Sequence, residues 1–240
     1  MTGGAILRPA LAADPRLVAG FTTRAFSPAE AGQGAARARL AEVTGLPVAS
    51  VGQVHGSDVV AVDAPGHVPA HDGLVTATPG LVLSVVAADC ALVLLADAEA
   101  GVVGACHSGW RGTVAGVVGQ TISAMAALGA EPARMRAYLG PCISTEAFEV
   151  GEEVAAAFPD AVVARRPEWP RPHVDLKADL GRQLAEAGVG DVETAPGCTV
   201  RDGDRFFSYR AENGTPGRML GFVGLRSGGE AGPCIFVVNE

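Results

Sequence analysis

The sequence predicts a mixed α/β domain in which rigid strand ends carry the chemistry. Three observations lead there. Apolar runs at Leu81–Ala87, Ala91–Ala96 and Gly101–Cys106 are short, rich in Val, Leu and Ala, and bounded by Asp and Gly, the pattern of buried strands rather than helices. Apolar residues recur at helical spacing over Thr113–Leu128 (Val114, Val117, Val118, Ile122, Met125, Leu128) and over Leu176–Ala187. No stretch is long or polar enough to divide the chain, so one domain is expected over 1–240, with its core at about 17–225 and a C-terminal extension at 226–240.

In chain order, Leu17–Arg24 reads as a strand ending in a basic residue, and Ala35–Glu42 as a helix stopped by Thr44-Gly45 and Pro47. Val51–His55 and Asp58–Val62 alternate as two short strands around a Gly56-Ser57 turn. Ala64–Asp72 reads as a loop, and Leu74–Thr76 leads through a Pro79-Gly80 turn into the three apolar strands. Glycine and alanine between the apolar positions of Thr113–Leu128 predict close packing on a sheet. Met135–Leu139 is a strand running into Gly140-Pro141-Cys142-Ile143. Thr145–Phe158 is expected to be a helix capped by Thr145, and Ala161–Pro172 an exposed connection. Gly188 stops the helix Leu176–Ala187, and Val192–Thr194 and Met219–Leu225 are strands around Phe206-Phe207-Ser208-Tyr209-Arg210.

Composition narrows the function classes. With 26 acidic against 18 basic residues, a formal charge of −8 and Lys177 as the only lysine, the chain lacks the clustered cations that a nucleic-acid surface needs. Asp89, Asp97 and His107 interrupt the longest apolar windows, so no membrane span is predicted. The N-terminus lacks a basic region followed by an apolar segment, and no signal peptide is read. Five scattered cysteines without CxxC spacing then point to a reduced, cytoplasmic context.

The sharpest constellation is His55 in QVHG, Cys90 in AADC and His107 in CHSGWRG, each at or beside a strand end. Two imidazoles and a thiolate suit Zn²⁺, and three protein ligands leave a position for water. Two satisfied histidines beside a buried free thiol fit the same residues, and spacing leaves the choice open. His67, His71 and His173 compete by type only. Cys106 should point away from His107 into the core, Cys142 is a reserve ligand, and Cys198 and Cys234 carry no signal. Asp89 and Asp72 suit acid/base work or the fixing of an imidazole, while a strand-start cap is the plain role for Asp72. Gly109-Trp110-Arg111-Gly112 precedes a helix, so its N–H groups and Arg111 suit an anion; Arg24 and Arg210 could face one as well, or be surface arginines.

Together the motifs QVHG, HDGLVTATPG, ADC, HSGWRG, YLGPCI with FEVGEEV, and FFSYR with the later GR resemble the bacterial YfiH-like family, over roughly Gly20 to Leu225. Its members are described as laccase-domain or polyphenol oxidase proteins, purine nucleoside phosphorylases and peptidoglycan editing factors. The resemblance implies a single four-layer α/β/β/α domain with zinc held by His55, Cys90 and His107. It implies phosphorolysis of adenosine, inosine and methylthioadenosine, and deamination of adenosine, with the nucleoside and phosphate as partners; the oligomeric state is left open by the sequence, with a cytoplasmic monomer as the expectation. On that basis Asp89, Asp72 and Arg111 are expected in catalysis, and Arg24, Gln53, Cys142 and Arg210 in substrate binding. A multicopper site is excluded chemically, because five histidines cannot supply its ligands.

The chain departs from the family pattern in places. The longer glycine-rich loop and LNLG segment after Gly20–Arg24 are missing, Ala91 follows ADC where proline is usual, Ser108 replaces alanine, and Leu180 stands where asparagine is common. None of these removes a ligand. Two other readings stand beside the first: Cys90 as a nucleophile with His107 as base, as in a toxin family that shares the fold, acting as an amidase or hydrolase on a peptidoglycan precursor, and a non-catalytic zinc-stabilised binding protein.

Overall fold

A computed structural model describes residues 5–27, 29–214 and 217–227. In chain order its elements are β1 (Ile6–Leu7), β2 (Leu17–Thr22), α1 (Gly32–Thr44), β3 (Val48–Gly52), β4 (Val59–Ala61), β5 (Gly66–Pro69), β6 (Gly73–Thr76), β7 (Val82–Ala87), β8 (Ala91–Asp97) and β9 (Val102–Ser108). There follow α2 (Trp110–Val114), α3 (Val117–Ala127), β10 (Arg136–Leu139), α4 (Glu152–Ala155), β11 (Val163–Ala164), β12 (His173–Val174), α5 (Leu176–Glu186), β13 (Asp191–Thr194) and β14 (Met219–Leu225).

The strands form two six-stranded sheets, in the orders β1-β2-β14-β7-β3-β5 and β13-β10-β8-β9-β6-β4, plus the small β11-β12 pair. Period-two alternation sends each central strand to two different cores. Leu83, Val85 and Ala87 of β7 meet Leu92, Leu94 and Ala96 of β8 between the sheets. Val82 and Val86 turn outward under Ala36 and Leu40 of α1. Val93 and Leu95 turn outward under α3 and α5, beside Val118, Met125, Leu180 and Leu184. The result is a helix–sheet–sheet–helix stack, as expected. Close approach of α3 needs glycine below it, since a Cβ on Gly104 would stand 2.8 Å from Met125 Sδ. No helix among the described residues is long and apolar enough to cross a membrane.

Several elements differ from the sequence expectation. β3 and β4 do not pair around Gly56; they belong to different sheets, and residues 53–58 carry the chain from one to the other. The expected loop 64–72 contains β5, which runs parallel to β3 with His67 opposite Ser50. The helix expected over 113–128 is two, broken at Gly116 with φ 76°. Of the helix expected over 145–158 only α4 forms, behind Gly151 rather than Thr145. Residues 145–150 are instead tied to the strand region around His173, through Val150 N–H donating to the Pro172 carbonyl and a Glu149–His173 bridge. The exposed connection expected over 161–172 begins with β11, paired to β12. Most of the C-terminal extension, with Cys234, lies outside the described residues.

Candidate metal centre

Two of the passages between the sheets lie side by side. The β7–β8 connection, Ala88-Asp89-Cys90, leads from the first sheet into the second, and residues 53–58 make the same crossing after β3. His107 ends β9 opposite Leu92 of β8, which brings it level with the start of that strand. One donor atom from each of His55, Cys90 and His107 lies within 4.8 Å of the others, and the two imidazoles meet edge to face with centroids 4.8 Å apart. Among the described residues no other such group of His, Cys, Asp and Glu converges; His67 stays outside it although it lines the same cavity, and His71 and His173 lie elsewhere. His71 Nδ1 is 2.7 Å from the Pro69 carbonyl, and His173 is buried against Trp169.

Asp72 arranges the two histidines. Its fully buried carboxylate is 2.8 Å from His107 Nδ1 and accepts the backbone N–H groups of Val54, His55 and Gly56 at 3.1, 3.0 and 2.6 Å. Burial alone would raise its pKa, but His107 and the Gly56 and Val54 amides hold it below the usual carboxylate range. An ionised Asp72 requires the proton on His107 Nδ1 and leaves Nε2 for the centre. The same amides force His55 into the left-handed region, φ 62°, a strained conformation that the surrounding bonds enforce.

Cys90 is half-buried. Burial pushes its thiol up, but His107 and His55 overcome this and bring it down to about 6. Burial disfavours protonated His107, yet Asp72 and Cys90 raise its pKa to about 9. The group is thus ready to present a thiolate. Gly109, the residue before α2, closes the arrangement: a Cβ there would stand 2.9 Å from Cys90 Sγ and 3.0 Å from His55 Nδ1.

Above the three donors opens a cavity of about 730 Å³, the size of a small-molecule site. Trp110, Phe148 and Tyr209 give it aromatic walls, and Arg37, Arg210 and Arg218 give it cations. Among its described lining residues Asp89 is the one carboxylate. Asp89 has φ 90°, its oxygens accepting from Thr199 Oγ1 at 2.6 Å and from Arg210 N–H at 2.7 Å. Gln53 lines the cavity while its amide clamps Val86, donating to the carbonyl at 2.7 Å and accepting the N–H at 2.8 Å.

Of the other residues singled out in the sequence, the structure brings Asp89, Gln53 and Arg210 to the cavity and leaves four away from it. Asp72 stands behind His107 and holds it. Arg24 points to the Phe206 carbonyl and Glu212, with its guanidinium 4.4 Å over the Phe207 ring. Arg111 is exposed and stacks 4.4 Å over Trp110. Cys142 is fully buried in the core under α3 and α5, its thiol pushed up to about 12 by burial. Cys106 faces that core too, as the strand alternation requires, and is likewise pushed up to about 12. Trp110 and Tyr209 stood in motifs already noted, but Arg37 sits in an Ala/Arg-rich helix where nothing in the spacing separates it from its neighbours.

A family model described as multi-copper polyphenol oxidoreductase laccase matches residues 30–226. The chain belongs to that family. A protein of Streptomyces griseus named purine nucleoside phosphorylase ORF3 is 47% identical over 201 residues, 80% of this chain and 81% of that one. A purine nucleoside phosphorylase of Deinococcus radiodurans is 46% identical over 206 residues, covering 82% and 79%. Among solved structures, a Neisseria meningitidis protein aligns with TM-score 0.80 at 32% identity, over 93% of this chain and all of that one. YlmD from Geobacillus stearothermophilus aligns with TM-score 0.81 at 29% identity over the same shares.

The donor set of this laccase-like chain fits one metal ion. The three donors converge, one imidazole is oriented by a buried carboxylate, and Gly109 leaves room where any side chain would intrude. It does not fit a multinuclear copper cluster, because three of the five histidines lie away from the centre.

Proposed function

We propose that the protein is a zinc-dependent purine nucleoside phosphorylase acting on adenosine, inosine and methylthioadenosine, and that it also deaminates adenosine. The observation that carries this reading is the placement of a two-imidazole, one-thiolate donor set under a cavity walled by aromatic rings and arginines. Relatives at 46–47% identity bearing the name purine nucleoside phosphorylase support the substrate class. His55, Cys90 and His107 would hold the ion, which when bound supplies Lewis-acid stabilisation of developing negative charge. Trp110, Phe148 and Tyr209 stack a purine, and the arginines bind the phosphate that displaces it from the sugar. In that displacement a phosphate oxygen bonds to C1′ as the C1′–N9 bond breaks, and the base leaves with the electron pair. Asp89 is the cavity's candidate for holding or moving a proton, and Asp72 serves by positioning His107. The protein works as a cytoplasmic monomer on small molecules; free thiols at Cys90, Cys106, Cys142 and Cys198 support a reducing environment.

Purified protein should contain about one zinc per chain and release free base from inosine or adenosine only when phosphate is added. Base release in phosphate-free buffer, giving free ribose, would replace phosphorolysis with hydrolysis, and a fully active metal-free protein would remove zinc from the reading.

One observation favours a second reading. Cys90, His107 and Asp72 form a thiolate–imidazole–carboxylate chain, the order needed for a nucleophilic cysteine, and a peptidoglycan-precursor amide is its substrate class. Alkylation separates the two. A metal-bound Cys90 reacts slowly with iodoacetamide until a chelator is added, whereas a free nucleophile reacts fast without one. His55→Ala should abolish activity in the zinc reading and leave most of it in the other, which assigns His55 no role.

A further inference from the structure

Among the described residues three arginines face the cavity against one carboxylate, in a chain whose formal charge is −8. A cationic pocket in an acidic protein marks an anionic ligand. The three arginines are not equivalent. Arg210 is committed to the fold, donating to the carbonyls of Ala147 and Glu149 at 3.2 Å each. Arg218 donates to the Gly217 carbonyl and lies 6.0 Å from the centre of the Tyr209 ring. Among the described residues Arg37, on α1, makes only a long 3.4 Å approach from Nη1 to Gln33 Oε1. It is partly buried, burial pushes its pKa down, and no carboxylate among the described residues offsets that loss of hydration. A guanidinium half-removed from water without a counter-charge is destabilising unless a ligand supplies the charge.

Gln33 stands beside Arg37 and borders a recess that Arg218 also lines. A narrow recess with Gln33, Val86 and Arg218 in its walls shares those residues with the main cavity. Two guanidinium groups and a carboxamide therefore gather at the α1 side. Donors from three side chains match a tetrahedral oxyanion with several acceptor oxygens better than a flat carboxylate with two.

We infer that Arg37, with Gln33 and Arg218, forms a subsite for a phosphate group at the α1 side of the cavity, and that its occupant is the inorganic phosphate consumed in phosphorolysis. The second half rests on the function proposed above; the first does not. A phosphate group could equally arrive as the ester of a nucleotide, so both sources are tested.

The zinc-loaded protein, Arg37→Gln and Arg39→Gln are melted with inorganic phosphate, adenosine 5′-monophosphate or adenosine. Arg39 shares α1 but stacks over Phe26, away from the cavity, and Ala36 and Leu40 keep α1 docked in each variant. Phosphate should raise the melting temperature of wild type and Arg39→Gln alike. Arg37→Gln should need about tenfold more phosphate or beyond for the same shift, with a matching rise in KM for phosphate and an unchanged KM for inosine. An equal phosphate response in Arg37→Gln, or no response of wild type to either anion, overturns the subsite. Stabilisation by the monophosphate alone overturns the assignment of free phosphate and makes the occupant an ester. A phosphate response that Arg37→Gln loses, in a protein that splits no nucleoside, upholds the subsite and overturns the phosphorylase reading instead.

Discussion

Neutralising Asp72 would disturb both histidines at once, because one carboxylate holds the His107 ring and the three amides that shape the His55 turn. Asp72→Asn keeps the volume but presents an amide where four donors converge. Metal affinity should fall about 10–100-fold, read by competition with a chromophoric chelator; affinity equal to wild type would show that His107 needs no orienting partner. The site residues legible in the sequence were those that break an apolar pattern or stand in a motif. His107, buried at the end of β9, and Cys90, between β7 and β8, interrupt apolar strands and so announce a purpose, while the exposed His55 was legible through QVHG. Arginines announce none, since a surface arginine and a cavity arginine look alike in sequence; of Arg24, Arg111 and Arg210, which stood out beside strands and motifs, the structure turns Arg210 to the cavity, and it adds Arg37 and Arg218.

Asp97 gives a pH dependence away from the metal centre. Buried at the end of β8, it accepts the N–H groups of Glu99, Ala100 and Glu131 and pairs with Arg134. Burial raises its pKa, but those bonds prevail and hold it below the usual carboxylate range. A depressed folded-state pKa gives stability that is complete above the unfolded value, about 3.9, and is lost as pH falls from there through the folded value. Asp97→Asn should therefore cost about 1–3 kcal/mol at neutral pH, and its denaturation midpoint should fall less steeply than that of wild type below about pH 4. Parallel acid limbs would assign the acid sensitivity to other groups.

Among the elements, α2 and the residue before it matter most to the site. Gly109 has φ −74° and ψ 174°, a conformation alanine adopts freely. Gly109→Ala should thus spare the backbone while its Cβ crowds Cys90 Sγ and His55 Nδ1. Bound metal and activity should drop together with little change in secondary structure, measured as metal per chain beside far-UV circular dichroism. A variant with full metal content would mean that the donors can shift aside without cost. Element legibility followed the same physics. The three apolar strands and α5 were readable because periodicity and burial agree, and α5 has its Asp175 cap bonded to Ala178 N–H at 2.9 Å. The helix expected over 145–158 failed because its apolar residues Phe148, Val150, Ala155 and Phe158 gather with Ile143 and Val174 in a loop-built cluster of their own. The crossing at 53–58 was unreadable because a carboxylate from a distant stretch, Asp72, sets it.

For the molecule as a whole, the metal donors sit at the edge of a stack whose cores are built without them. Phe21, Leu83, Leu92, Leu94 and Phe206 are fully buried between the sheets, each worth about 1.5–3 kcal/mol relative to exposure. Close contacts such as Gly221 against Leu92 and Leu94 bring β14 onto β8 across that interface. Removing the ion should therefore weaken the protein by linkage alone. For a ligand at 100 to 1,000 times its dissociation constant that is about 2.7–4.1 kcal/mol, or about 5–16 °C in melting temperature for a chain of this size. The chelated protein should keep its circular dichroism spectrum and a single cooperative transition, with Cys90→Ser melting near the chelated wild type and gaining nothing from added zinc. If chelation instead abolished cooperative unfolding, the centre would be a structural clasp for the crossings between the sheets, and its donors would owe their arrangement to folding rather than to catalysis.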